Sequence, residues 1–459
     1  MMTRKLPIIA VATASGKGGV GVIRISGPDL AELTTILLQK SLEPRQATLL
    51  SFRDADRSVI DQLIAIYFLG PASFTGEDVL ELQCHGGPHL LALVMKRCLE
   101  LGKDKGLVIA EPGEFTLRAY LNDKIDLAQA EAIADLIDAQ SEAAVRGAAR
   151  SLQGAFSADV DGLIEEITQL RILVESTLDF PEEEIEFLEN AQAKQRLQAV
   201  SAKLSSLREN AKQGKLLRDG VQLVLAGAPN VGKSSLLNRL AGEEVAIVTP
   251  IAGTTRDRIK ESIHIDGIPM HIIDTAGLRE TDDLVESKGI ERSWEAIRLA
   301  DLVIFLKDPN SNQTDELIDG DLKSQILKEL PPKCPVLEVI NKADLLAPEL
   351  KKTAHEETLF ISAKTGEGVD GLKRKILEII GWSGSQEGAI LARRRHLDCL
   401  ERAAEHLKKS EVFAANGNIS LELFAEELRL AQDHLGQITG KLLPDDLLGK
   451  IFSQFCIGK

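Results

Sequence analysis

Apolar positions along this chain follow three rhythms, and each predicts a different architecture. Through about the first 120 residues, short β-rich runs (GVIRIS, IDQLIAIYFL, DVLELQCH) mix with a helix-like HLLALVMKRCLEL. That mixture predicts an α+β unit over 1–121. From Asn122, which reads as an N-cap, the composition turns to Ala, Leu and Glu, and Ile164, Ile167, Leu170 and Leu173 recur every three residues. That spacing puts the four on one helix face, so long helices are expected through 122–215.

The third rhythm begins after KLLRDG. VQLVLAG is a continuous apolar run closed by glycine, the pattern of a strand buried on both faces, and MHIID, LVIFLKD, PVLEVI and TLFISA repeat it. SIHIDGIPMHII predicts a hairpin turning at Asp266 and Gly267. This α/β nucleotide-binding pattern occupies 216–380. After GWSGSQEG, helical composition resumes in LARRRHLDCLERAAEHLKK and SLELFAEELRLAQDHL. An α/β domain inserted into a helical domain, whose second part is 381–459, accounts for that order most simply.

Composition narrows the picture. With 459 residues and 44% hydrophobic content the chain has material for two or three cores. The early apolar run LPIIAVATA is cut off by SGKGGVGV, too soon for a signal-peptide core or a membrane span, so a cytoplasmic location without a membrane partner is expected. Five scattered cysteines with no C-x-x-C pair argue against a disulfide framework or zinc ribbon, and the spacing in CHGGPH (Cys84, His85, His89) matches no common metal-ligand set. A net charge of −16 opposes nonspecific binding to polyanions, so an RNA partner must meet a local basic patch. Arg393, Arg394, Arg395 and His396 are the dense candidate, with a solvated helix face the alternative.

The chemistry lies in the third rhythm. Gly227-Ala-Pro-Asn-Val-Gly232-Lys233-Ser234 satisfies the phosphate-loop pattern between a predicted buried strand and a helix start. Asn230, Val231, Gly232, Lys233, Ser234 and Ser235 would line a nucleotide: backbone N–H groups cradle phosphates, Lys233 reaches β/γ oxygens, and Ser234 offers a Mg²⁺ ligand. An imitation at Gly16-Lys-Gly-Gly-Val-Gly21 has Val22 and Ile23 where lysine and hydroxyl belong, and reads as a glycine turn before a strand.

Asn341, Lys342, Ala343 and Asp344 close PVLEVI, and a carboxylate at Asp344 pairs with the N–H and NH₂ edge of guanine. Adenine would leave that charge stranded, a discrimination of roughly 10⁴-fold or more. Ser362, Ala363 and Lys364 complete the base pocket, and Asp274, Thr275, Ala276 and Gly277 supply the water-mediated Mg²⁺ contact and the γ-phosphate sensor of a GTPase. Leu278 stands where Ras-type switches keep a water-orienting glutamine, so hydrolysis needs another group. Asn230 could ligate a monovalent cation beside the phosphates, and the acidic run Glu280, Asp282, Asp283, Glu286 could provide a carboxylate; the residues alone do not choose among the four.

With these motifs in place the chain resembles the MnmE (TrmE) family, GTPases of tRNA wobble-uridine modification. The resemblance runs through VGVIRISG, FTGEDVLELQCHGGP, AYLNDKIDLAQAEAIADLI, DFPEEEIEFL, LARRRH and the final CIGK, and covers essentially the whole chain. It implies an N-terminal α+β folate-binding domain, a discontinuous helical domain and an inserted Ras-like P-loop G domain. It implies switch I at IAGTTRD, with Thr255 on Mg²⁺, and K⁺ held by Asn230, Thr249, Ile251 and Thr254. VESKGIER selects Glu286 as the catalytic glutamate. A 5-formyl- or methylene-tetrahydrofolate is implied at Arg24, Glu81, Lys124 and Lys459, with Cys456 beside it in a chemical or supporting role. The implied partners are a second copy forming a homodimer, tRNA, and the flavoprotein MnmG, which brings FAD. Two rivals remain at this level: a stand-alone GTPase switch whose flanking domains bind RNA, and a folate enzyme with a vestigial G domain.

Overall fold

The computed structural model describes residues 6–179, 193–242, 262–274, 294–295, 297–310, 320, 323–346, 359–384, 390–415, 421–441, 445–453, 455 and 458. The three expected N-terminal runs form β2 (Val20–Gly27), β4 (Val59–Phe68) and β5 (Asp78–His85). They are joined by β1 (Ile8–Val11), β3 (Thr48–Arg53) and β6 (Val108–Ile109) in the order β3-β4-β5-β2-β1-β6. Alternate residues of β4, Leu63, Ala65 and Tyr67, face a core closed by α1 (Ala31–Leu38) and α2 (Pro88–Leu101). The GGPH stretch starts α2, with Gly87 at the N-cap and Pro88 in the first turn, where its missing N–H costs nothing.

Asn122 does not start a helix. It closes α3 (Glu114–Leu121), and its amide Nδ2 donates to the Thr75 carbonyl at 2.7 Å. The next helix, α4 (Leu127–Asp138), begins instead at Asp126. The reason is reciprocity: Asp126 accepts from the Gln129 N–H while Gln129 accepts from the Asp126 N–H, a capping box that Asn122 has no partner to form.

Beyond it, α5 (Glu142–Leu152), α6 (Ala155–Asp179) and α7 (Ala193–Asp219) combine with α10 (Arg394–Ala415) and α11 (Leu421–Thr439) into a helical bundle. Ile167 and Leu170 are fully buried in its core, and Ile164 and Leu173 pack against it, as their spacing requires. Between the two parts lies a second sheet, ordered β12-β11-β10-β7-β9-β8. It contains β7 (Val221–Ala226), β8 (Ser262–Ile265), β9 (Ile268–Asp274), β10 (Leu302–Lys307), β11 (Val336–Ile340) and β12 (Leu359–Phe360). All pairs are parallel except the β8–β9 hairpin, whose tip residues Asp266 and Gly267 have φ 52° and 78°. Helices α8 (Lys233–Ala241) and α9 (Val369–Ile379) cover this sheet. The last helix, α12 (Asp445–Phe452), leaves the bundle and docks on α3.

Candidate functional site

Strand order reverses at β7, which pairs with β9 on one side and β10 on the other. A ligand crevice is expected outside the carboxyl end of such a strand, and the phosphate loop lies there. Its backbone is held open by Gly227 (φ 143°), Asn230 (φ 62°) and Gly232 (φ 97°), the last of which caps α8. A Cβ on Gly232 would stand 2.2 Å from Asn341 Nδ2, so glycine is required both by conformation and by space. Lys233 Nζ reaches back over the loop to the carbonyls of Gly227 and Ala228, at 2.7 and 3.0 Å. Ser234 and Ser235 are exposed at the first turn of α8, beside the loop.

Buried Asn341 ties the loops together. Its Nδ2 donates to the Val231 carbonyl at 2.7 Å, and its Oδ1 accepts from the Ala363 N–H at 2.9 Å. One side chain thus fixes the phosphate loop against both segments expected to hold the base. Ser362 donates to Asp344 Oδ1 at 2.6 Å and accepts from the Thr365 N–H. Lys342 pairs with Asp308 at 2.6 Å. Burial raises the Asp308 carboxyl, but hydrogen bonds from Lys342 and the Asn310 N–H outweigh it and hold the group below its ordinary value. Arg239 of α8 clasps the third segment, donating to the carbonyls of Ala363 and Lys364.

A second constellation lies on the N-terminal sheet. Arg24 and Glu81 are register partners on β2 and β5, paired at 2.8 Å and each about one-fifth exposed. The guanidinium lies 5.8 Å from the Phe74 ring and 6.0 Å from the Phe115 ring. Lys124 Nζ donates to the Pro71 carbonyl on the loop that carries Phe74. The tail arrives here too: Arg24 Nη1 donates to the Gly458 carbonyl at 3.4 Å, and Phe455 is buried beside Gly113. Gly458 (φ 93°) sits so close to β1 that a Cβ would lie 2.3 Å from the Val11 carbonyl.

Sequence reasoning did not single out Arg118. It is buried, donates to Glu77, Glu114 and the Leu6 carbonyl, and through Glu77 and Ser26 fixes the loop that bears Phe74. No local motif marks it, because Glu77 and Leu6 lie far from it in sequence. Thr249, Ile251, Thr254, Thr255, Thr275, Ala276, Gly277, Glu286, Cys456 and Lys459 lie outside the described residues, as does the Asp274 side chain.

Two other sequence features turn out to be structural. Cys84 faces the core, where burial pushes its thiol up to about 12, while His85 points the other way to Asp61 at 2.7 Å. The RRRH stretch is largely turned into the fold; of the four, only Arg394 is exposed. Arg395 pairs with buried Glu131 at 2.6 Å, and Arg393 with Asp135 at 2.7 Å. His396 Nδ1 accepts from the Arg393 N–H, so Nε2 carries the proton and donates to Glu131 at 2.8 Å. Burial keeps that imidazole below its usual range, in keeping with a neutral ring. Burial also raises Glu131, but His396 and Arg395 more than reverse this and hold the carboxyl well below the usual carboxylate range. The acidic partners on α4 lie more than 250 residues away in sequence, which is why the basic run alone misleads.

A parallel sheet reversing beside a glycine-lysine-serine loop, with Asp344 and Ser362 at neighbouring strand ends, defines a P-loop GTPase domain, here set between two parts of a helical bundle. The family model of the MnmE helical domain matches residues 127–456, and that of the GTP-binding protein TrmE N-terminus matches 7–124. The tRNA modification GTPase MnmE of Polynucleobacter asymbioticus is 77% identical over 461 residues, covering 100% of both chains. That of Bordetella parapertussis is 56% identical over 458 residues, again covering 100% of both. Among solved structures, Era of Aquifex aeolicus bound to GDP.AlF4- is 26% identical over 40% of this chain and 66% of its own, at a TM-score of 0.26. The chain belongs to the MnmE (TrmE) family and is a GTPase. No described helix is long and apolar enough to cross a membrane.

Proposed function

We propose that this chain is a potassium-dependent GTPase that works with the flavoprotein MnmG on C5 of the wobble uridine of tRNA. The product is an aminomethyl or carboxymethylaminomethyl group, built with a tetrahydrofolate one-carbon unit. The observation that carries the reading is the meeting of Arg24, Glu81 and the returning tail at Gly458 on one sheet face. A carboxylate suits the N–H/NH₂ edge of a pterin, an arginine or lysine suits folate carboxylates, and Phe74 offers an aromatic wall. A GTPase switch whose flanking domains only bind RNA would have no use for such a cradle. The two-part helical bundle would carry the G unit between 216 and 380, with 1–121 as the folate and dimerisation unit.

In the G unit, Asp344 reads guanine and is oriented by Ser362, while the phosphate loop and Lys233 receive the phosphates. The donor set fits hard cations: exposed Ser234, with Thr255, would hold Mg²⁺, and the loop-tip Asn230, with Thr249, Ile251 and Thr254, would hold K⁺. When bound, these ions would supply positive charge where negative charge develops on the phosphates, in place of an arginine finger. Glu286 orients the attacking water, and hydrolysis drives a conformational step while the redox chemistry belongs to the partner's FAD. The location is cytoplasmic, and a second copy of the chain completes a homodimer.

GTP turnover in KCl and NaCl at equal ionic strength tests the reading, alongside Asn230→Ala and Glu286→Ala. Stimulation by potassium that either variant abolishes is the expected result. Equal turnover in both salts would remove the cation site. A Cys456→Ser chain that hydrolyses GTP normally and still supports full tRNA modification with MnmG would remove the thiol from the chemistry.

A further inference from the structure

The β8–β9 hairpin touches both places where the chain crosses between the G unit and the helical bundle. At its tip, Asp266 Oδ2 accepts a 2.6 Å hydrogen bond from the indole N–H of Trp382. Trp382 is buried in the G-unit core just after α9, where the chain leaves for the bundle. The segment around it is held from the bundle side, since Gln213 of α7 donates to the Gly381 carbonyl and accepts from the Ser383 N–H. At the other crossing, His271 of β9 bonds the Asp219 carbonyl at the end of α7, at 3.2 Å. Gly220 follows with φ 66°, and a Cβ there would meet the Pro269 carbonyl at 2.5 Å.

Each end of this hairpin leads somewhere. Toward the nucleotide, β9 ends at Asp274, register partner of Leu225, two residues before the phosphate loop begins at Gly227. Toward the bundle, Arg218 at the end of α7 pairs with Asp135 of α4 at 2.8 Å, joining the ion cluster built by Arg393 and Arg395. Packed elements of this kind move as units instead of deforming gradually, so a shift of the hairpin must be taken up at Trp382 and Asp219 together.

We propose that the β8–β9 hairpin passes the nucleotide state of the G unit to the helical bundle, and that Asp266 and Trp382 are the positioning pair that holds it to the crossings. This rests on the GTPase assignment alone and is independent of the folate reading. The indole N–H makes the pair directional: phenylalanine keeps most of the packing of Trp382 but cannot hold the tip.

The chain has two tryptophans, so Trp294→Phe leaves Trp382 as the sole indole reporter in the full-length protein. Its emission should change between GDP and a non-hydrolysable GTP analogue, and the change should disappear when Asp266→Gly, which keeps the left-handed turn but has no acceptor, is added. Should Trp294→Phe fold poorly, the same quantity is the nucleotide-dependent emission that Trp382→Phe removes from the parent chain. In either Asp266→Gly or Trp382→Phe, GTP turnover should stay within about two-fold of the parent. Modified tRNA per GTP hydrolysed should fall about ten-fold, within the ordinary range of coupling between sites. Identical emission in both nucleotide states, or a ratio of modification to hydrolysis that the variants leave unchanged, would overturn the proposal, even if both variants melted earlier.

Discussion

The crevice at the end of β7 and the sheet face around Arg24 are both assembled from distant segments, but they are held in different ways. The nucleotide crevice is fixed by neutral, buried hydrogen bonds radiating from Asn341, with glycine conformations that leave no alternative path for the backbone. The Arg24 face depends on a partly exposed ion pair, an exposed lysine on a loop carbonyl, and a tail resting on β1. Buried neutral networks specify a single geometry, whereas half-solvated ion pairs hold weakly and adapt. The crevice is therefore pre-shaped for phosphate and base, and the sheet face is the one whose geometry depends on the tail.

The largest effect should come from the joint between the two regions. Glu131→Ala strands Arg395 and His396 beside a buried hole and should cost about 3–5 kcal/mol, lowering the melting temperature with and without either ligand. The same joint sets an acid limb. Glu131 and His396 both titrate lower in the folded chain than in the unfolded one, so the unfolded chain takes up protons first as pH falls. Stability should be complete above about pH 6.5, begin to fall there through His396, and fall further below about 4.5 through Glu131. His396→Gln should remove the first of these steps; an unchanged melting curve between pH 7 and 5 would show that the imidazole does not report on folding.

A sharper cut between the regions is Asn341→Ala. It leaves the Val231 carbonyl and the Ala363 N–H without their side-chain partner, each worth about 1–3 kcal/mol, and GTP affinity should fall roughly a hundredfold. Binding at the Arg24 face should be untouched; a parallel loss there would break the contrast. The smaller, opposite test is Gly458→Ala. A side chain at φ 93° against the Val11 carbonyl costs about 1–3 kcal/mol and should displace the tail. Modification of tRNA should drop about tenfold for roughly that cost, with GTP turnover preserved.

The nucleotide crevice was legible in the sequence because its chemistry is local. Gly227 to Ser234, Asn341 to Asp344 and Ser362 to Lys364 each follow a strand that the apolar runs announce, and the Asp266–Gly267 turn lies where the hairpin pattern puts it. The Arg24 face had no such marker. Arg24 and Glu81 meet only because β2 and β5 pair in one register, and without the family resemblance both read as surface charges. The same blindness explains Arg393, Arg395 and His396, whose burial is decided by Glu131 and Asp135 across the fold. Asn122 failed for a subtler reason: a good capping residue lost to Asp126, which had a reciprocal partner three residues on.

The proposed function depends most directly on whether the Arg24 face is a ligand site separate from the nucleotide crevice. The direct measurement is calorimetric titration of 5-formyltetrahydrofolate into the full-length chain, into Glu81→Gln and into Asn341→Ala. The parent and Asn341→Ala chains should bind with equal affinity, and Glu81→Gln should bind about tenfold or more weakly, as expected when a charge-assisted hydrogen bond is lost. Equal binding by Glu81→Gln, or no binding by the parent chain, would contradict it.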